Sequence, residues 1–269
     1  MNTPPKQSQE ELLKEVQDMY TDVTGDSTFG ALISAVQGMG KTTMIGTAPY
    51  PILVYMFDPK GYIVLKKQID EGKVLVVPLW GEQSQNPTKW KQFIQLSDKH
   101  MDTGFINKFA TVAVDSLTYA LEALTNFTAT EMQVATNKTR LKNLPHLGDY
   151  RVIYQHIMDR INRFSEHPVN LIFTSHLEMV MDETTKEIKA EILAYSKLRG
   201  LLPPMFTEKY YILADKPDAT GIAKRYVITQ PRNRYMASTQ FELPARVEPN
   251  ICKIMKDAGF TVKHKELLK

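Results

Sequence analysis

Residues 35 to 43 read Ala-Val-Gln-Gly-Met-Gly-Lys-Thr-Thr, and no other stretch restricts the fold as much. They follow an apolar run, Phe29 to Ser34, and precede Met44 to Ala48, which reads as helix. Strand, glycine-bearing turn and helix opening on Lys-Thr is the layout of a phosphate-binding loop. Gly38 and Gly40 admit backbone angles that a side chain would block. Successive N–H groups from Gly38, Met39, Gly40, Lys41, Thr42 and Thr43 can then turn inward toward phosphate oxygens. Lys41 is placed to reach the β- and γ-phosphates, and the Thr42 hydroxyl to ligate Mg²⁺. Where the strict pattern has a glycine, this chain has Ala35, whose methyl group is a small intrusion on the strand side of the loop. The chain is expected to bind a nucleoside triphosphate.

The chain has 269 residues, 43% hydrophobic and 23% charged. A single α/β domain of this size buries roughly three-quarters of its unfolded surface. Thirty-three Lys and Arg against thirty Asp and Glu leave +3, too small an excess to imply nucleic acid unless the charge is clustered. One cysteine, Cys252, cannot form an internal disulfide and suits a reducing compartment. No apolar run approaches the ~20 residues of a membrane helix, and no signal-peptide core is visible at the start. The expectation is a soluble, cytoplasmic protein with no membrane partner.

Along the chain, residues 1–9 are polar and expected to be disordered, and Glu10 to Tyr20 carries Leu12, Leu13, Val16, Met19 and Tyr20 on one helical face. Pro51 to Asp58 and Phe109 to Ser116 are unbroken apolar runs ending near an acid, the pattern of strands buried on both faces of a parallel sheet. Between them, Tyr62 to Glu71 reads as helix, Lys73 to Pro78 as strand and Thr88 to Lys99 as helix. Helices are expected from about Thr118 to Ala135 and from Asp149 or Tyr150 to Glu166, with a basic loop from Thr136 to His146 between them. Val169 to Thr174 is a buried strand ending in Ser175-His176, and Leu177 to Leu193 a hairpin turning at Glu183 to Lys186. An irregular crossing follows from Tyr195 to Phe206, then strands at Tyr210 to Ala214 and Arg225 to Gln230, a turn at Pro231 to Arg234, and a helix at Pro249 to Ala258. With no internal repeat or low-complexity linker, one domain is expected over 29–258, preceded by a polar tail and helix (1–28) and followed by a tail (259–269). An acid ending a buried strand downstream of a phosphate loop is the Walker-B arrangement, in which Asp115 holds Mg²⁺ through water.

Taken in order, the loop strand, the Asp58 strand, the Asp115 strand and the His176 strand resemble the RecA-like P-loop NTPase core: an α/β fold with a mostly parallel twisted sheet and helices on both faces. The stretches 35–49, 54–61, 111–120, 171–178 and 198–206 are more closely similar to the phage nucleotide-binding family with that core, which includes RecA-like single-strand annealing proteins. The resemblance implies a Mg²⁺-dependent ATPase, stimulated by single-stranded DNA, that forms rings or filaments in the host bacterial cytoplasm, with a single-strand-binding protein as a further partner. It implies that Lys41, Thr42 and Asp115 bind phosphate and Mg²⁺, and that Ser175 or His176 senses the γ-phosphate. RecA-like proteins orient the attacking water with a glutamate; here that turn reads Phe57-Asp58-Pro59-Lys60-Gly61, so the expectation is either that the shorter Asp58 substitutes, with slow hydrolysis, or that another residue holds the water.

The resemblance also implies that Arg232 and Arg234, one residue apart after a strand, act as arginine fingers in a neighbouring subunit, the alternative being a solvated arginine turn. Loops lining the DNA path would carry Lys138, Arg140 and Lys142, then Lys186, Lys189, Lys197 and Arg199, with Tyr195 available to stack on a base. Asp182, Glu183, Glu187 and Glu191 interleave with the second group, so a mixed, solvated hairpin is the competing reading. Two functions follow: an ATP-dependent protein of DNA recombination or repair that promotes annealing or strand pairing, or a nucleotide-controlled assembly module with little turnover and no DNA role.

Overall fold

The computed structural model describes residues 8–14, 17, 28–136, 145, 147–184 and 186–268. Helical residues 9–14 start at a reciprocal cap: Ser8 Oγ accepts from Glu11 N at 3.2 Å and Glu11 Oε2 accepts from Ser8 N at 2.8 Å. The rest of the helix expected there lies largely outside the described residues.

The centre of the molecule is β1 (Gly30–Ala35), flanked by two parallel neighbours, β5 (Asn170–Met181) and β7 (Glu208–Ala214). Beyond β5 lie β4 (Thr111–Asp115), β2 (Ile52–Met56) and β3 (Val74–Pro78), all parallel; beyond β7 lie the antiparallel β8 (Arg225–Ile228) and β9 (Arg246–Val247). The short β6 (Ile188–Ile192) pairs antiparallel with the far half of β5. Every residue of β2 and β4 is buried, as a parallel sheet covered on both faces requires.

Strand alternation builds the two cores. Ala31, Ile33, Ala35, Ile52, Val54 and Met56 face α1 (Lys41–Ile45) and α7 (Ile251–Asp257) through Met44, Ile45, Ile251, Ile254 and Met255. Leu32, Leu53, Tyr55, Val112, Val114, Leu171 and Phe173 face α3 (Lys89–Asp102), α4 (Leu117–Thr136) and α5 (Leu147–Ser165). In α3 the buried residues Trp90, Phe93, Ser97 and Met101 recur at three- and four-residue spacing. Each large apolar side chain buried this way contributes about 1.5–3 kcal/mol before entropy is counted. Glu82 fixes the start of α3 by accepting from Thr88 N and Lys89 N, both at 3.0 Å.

The short α2 (Lys66–Asp70) follows a 3₁₀ turn, Gly61–Leu65, as expected for that stretch. Three elements differ from the sequence expectation. The helix after the phosphate loop stops at Ile45, ahead of Pro49 and Pro51, instead of running to Ala48. The strand expected to end at Thr174 continues to Met181, because β6 supplies a ladder from Leu177↔Ile192 to Met181↔Ile188. The crossing from Tyr195 contains α6 (Ser196–Leu201) and a 3₁₀ turn, Pro203–Met205. Residues 259–268 lie against the body: Phe260 meets Phe29 edge-on at 5.6 Å, His264 stacks on Tyr50 at 3.7 Å, and Lys265 Nζ donates to the Phe109 carbonyl at 2.7 Å.

Candidate nucleotide site

The loop after β1 turns through Gly38 (φ 79°) and Gly40 (φ 92°), left-handed angles that favour glycine. Nothing lies within 4 Å of where a Gly38 β-carbon would sit, so its positive φ is what favours glycine there. Lys41 opens α1 and is buried. Its ammonium donates to the carbonyls of Ala35 (3.2 Å) and Val36 (3.4 Å). Burial lowers its pKa, and the nearby carboxylates of Asp115 and Asp58 oppose that shift.

Register sets Asp115 opposite Met56, at the edge of the sheet from which the loop emerges. Its carboxylate is fully buried, and both oxygens are engaged by hydroxyls. Thr42 donates to Oδ2 at 2.6 Å, and Thr174 donates to Oδ1. Burial raises the Asp115 pKa; the bonds from Thr174 and Thr42 pull it back, Asp58 adds repulsion and Lys41 adds attraction. The Asp115 carbonyl accepts from both Phe57 N (2.6 Å) and Asp58 N (3.0 Å). That fork fixes the turn carrying Asp58. Gly61 packs beside it, where a β-carbon would sit 3.2 Å from Met56 Sδ and 3.5 Å from Asp115 Oδ2.

Between Ser175 and His176, alternation along β5 decides which one reaches the loop. Ser175 is buried and donates to the His176 carbonyl at 2.8 Å. His176 and Thr174 share the other face. His176 Nδ1 lies 3.5 Å from Lys41 Nζ, and Nε2 lies 3.6 Å from Asp58 Oδ2. An ammonium only donates, so Nδ1 accepts and the ring proton belongs on Nε2, facing Asp58. That nitrogen is buried, with no hydrogen-bond partner among the described residues. The His176 main chain is pinned by its N–H to Thr118 Oγ1 at 3.0 Å, and Tyr119 meets the ring edge-on at 5.6 Å.

These residues fit a Mg²⁺–triphosphate. Thr42 and Asp115 present hard oxygen atoms, and magnesium is usually held by one or two protein carboxylates with phosphate and water completing its shell. Ser34 Oγ, Ser116 Oγ and His176 Nε2 are buried around the loop and Asp115 without partners among the described residues, and buried polar atoms of this kind normally answer to a ligand or water.

The remaining expected residues lie elsewhere. Arg232 and Arg234 are exposed on a tight turn, with Asn233 at φ 53° and Arg232 paired to Tyr235; the Arg234 carbonyl accepts from Ala190 N of β6 at 2.8 Å. Lys138, Arg140 and Lys142 lie outside the described residues. Lys186 is exposed at the hairpin turn, and Lys197 Nζ sits 5.8 Å above the Tyr154 ring. Lys189 pairs with Asp182 at 2.8 Å, and Arg199 pairs with Glu178 and reaches Glu191 at 3.6 Å. Tyr195 is half-buried, bonded to Thr125 at 2.7 Å and edge-on to Tyr150 at 4.9 Å.

Thr174 and Thr118 were missed in the sequence. Thr174 reads as one more residue of a buried strand; the signal for it is its position two before His176, on the same strand face.

Residues 29–241 match the family described as AAA domain. A KaiC-like protein of the hyperthermophilic archaeon Pyrococcus horikoshii aligns at 15% identity and a TM-score of 0.42, over 83% of this chain and 90% of that one. No curated protein matches.

Proposed function

The chain belongs to the AAA domain family of P-loop NTPases, and on that premise we propose that it binds ATP with Mg²⁺ between the loop at 38–43 and Asp115 and hydrolyses it. The observation that carries this is the closed set of contacts from Thr42 to Asp115 to Thr174. It puts a magnesium-type carboxylate against the first helical turn after the phosphate loop. Loop N–H groups and Lys41 hold the phosphates, and Thr42 and Asp115 hold the metal. When bound, Mg²⁺ neutralises charge on the β- and γ-phosphate oxygens. Asp58 accepts a proton from the attacking water, and the Nε2–H of His176 steadies Asp58 and the γ-phosphate side of the cleft. Two short groups meeting 3.6 Å apart take the place of one longer carboxylate. A positioned base of this kind is worth ~10²–10⁴ in rate.

The strand that carries Thr174 and His176 continues into the β5–β6 hairpin, and Leu193 N donates back to the His176 carbonyl at 2.8 Å. In both readings a change at the γ-phosphate passes along this strand to the hairpin arm. In the first reading the arm and the segment 138–142 contact single-stranded DNA in a ring or filament that promotes annealing in phage recombination. A second reading, a nucleotide-controlled assembly module, is favoured by two features of the hairpin. Lys189 and Arg199 are already paired with carboxylates, and Met179, Met181 and Ile188, which share one hairpin face, are 46%, 60% and 52% exposed.

ATP hydrolysis with and without single-stranded DNA, with Lys41→Ala as control, separates the two. Stimulation that disappears in the variant supports the DNA reading. No DNA retention even at low salt, where phosphate contacts are strongest, combined with nucleotide-dependent sedimentation, supports assembly.

A further inference from the structure

We propose that Arg225, at the start of β8, is a ligand for the bound nucleotide supplied by the same chain; this rests on the triphosphate reading of the loop. Register carries the argument first. Ser34 of β1 pairs with Tyr211, and Arg225 pairs with Ala214, three residues further along β7. Arg225 thus stands at the edge of the sheet where the loop emerges. Alternation carries it second: Arg225 and Val227 share a strand face, and Val227 packs in the core that includes Met44 and Ile45 of α1. The guanidinium consequently lies on the loop. A β-carbon at Gly40 would sit 3.0 Å from Arg225 Nη1 and 3.7 Å from Cζ.

Its neighbours show what distinguishes it. Arg225 lines a cavity with Lys224, Tyr226, Arg246, Glu248 and Lys253. Arg246 is paired with Asp215 and lies 3.5 Å over the Tyr226 ring; Lys253 is paired with Glu248 at 3.0 Å. Among the described residues no carboxylate pairs with Arg225. An exposed guanidinium, unpaired among the described residues and lying against the turning point of a phosphate loop, fits the anionic oxygens of a nucleotide, which its planar fork engages through two N–H groups at once.

The test is calorimetric titration of the full chain with ATP and Mg²⁺, comparing native protein, Arg225→Ala, Arg225→Lys and Lys224→Ala, with circular dichroism confirming equal folding. Arg225→Ala is expected to weaken ATP roughly tenfold or more, as loss of a charge-assisted pair of hydrogen bonds does. Arg225→Lys is expected to recover part of that loss, because it restores charge without the fork. Lys224→Ala, a likewise exposed charge on the adjacent residue, is expected to change affinity less than about twofold. Native affinity in Arg225→Ala overturns the inference while leaving the loop reading intact. Equal losses in Arg225→Ala and Lys224→Ala also overturn it, since general electrostatics then suffices. Failure of the native protein to bind ATP removes both.

Discussion

The Thr42 hydroxyl donates to Asp115 Oδ2 at 2.6 Å across 73 residues of sequence, and through that bond the helix of the phosphate loop meets the end of β4. Thr42→Ser keeps the hydroxyl and should keep activity. Thr42→Val removes it and should lower Mg²⁺-dependent hydrolysis by about 100-fold or more, since metal positioning supplies several kcal/mol of the barrier reduction. Steady-state rates against Mg²⁺ concentration make the comparison; a valine variant with native rates contradicts the assignment.

Asp58 and His176 should act on turnover and not on binding. Asp58→Asn is expected to cut kcat about 100-fold and to leave KM within about threefold, the pattern of an interaction made at the transition state. His176→Ala should follow in the same direction with a smaller loss. A raised KM at constant kcat would place both residues in ground-state binding instead.

Asp115 also links function to stability. Its folded pKa is raised, chiefly by burial, so as pH climbs past the ordinary carboxylate value the unfolded chain releases its proton first. Stability is therefore lost through that window, up to the pH at which the folded-state carboxyl also ionises. Asp115→Asn should accordingly raise the Tm of the nucleotide-free protein near pH 7, with the gain shrinking on acidification, while abolishing Mg²⁺-dependent hydrolysis. Thermal scans at several pH values test this; a lower Tm for the variant at neutral pH contradicts it.

Gly46 holds the loop helix against the turn after β2. A β-carbon there would sit 2.8 Å from Leu65 Cδ2 and 3.1 Å from Gln68 Nε2, and Leu65 is fully buried. Gly46→Ala should destabilise the fold by about 1–3 kcal/mol through overpacking, at about 2–4 °C of Tm per kcal/mol for a chain near this size. Denaturant melts of native and variant protein give the value directly.

Much of this was written locally in the chain. Residues 35–43 announce the loop, and the unbroken runs at β2 and β4 announce strands covered on both sides, because burial on two faces leaves no room for polar alternation. What stayed hidden depends on pairing between distant segments. Ser175, His176 and Glu178 interrupt the apolar run and read as a strand end; the ladder to β6 carries the strand on regardless. Arg225 reads as the polar start of an ordinary strand, and only its antiparallel register with β7 brings it to Gly40. Tyr195 shows the converse. Its side chain suggests a free stacking surface, yet Thr125 and Tyr150 already engage it.

Calorimetric titration of ATP into native protein and Lys41→Ala, with and without Mg²⁺, addresses the nucleotide site most directly. Native protein should bind, more tightly with Mg²⁺, and Lys41→Ala should weaken binding by roughly tenfold to a hundredfold, the worth of a charged hydrogen bond to phosphate. No uptake by the native chain, or equal affinity in the variant, would contradict a triphosphate seated between the loop and Asp115.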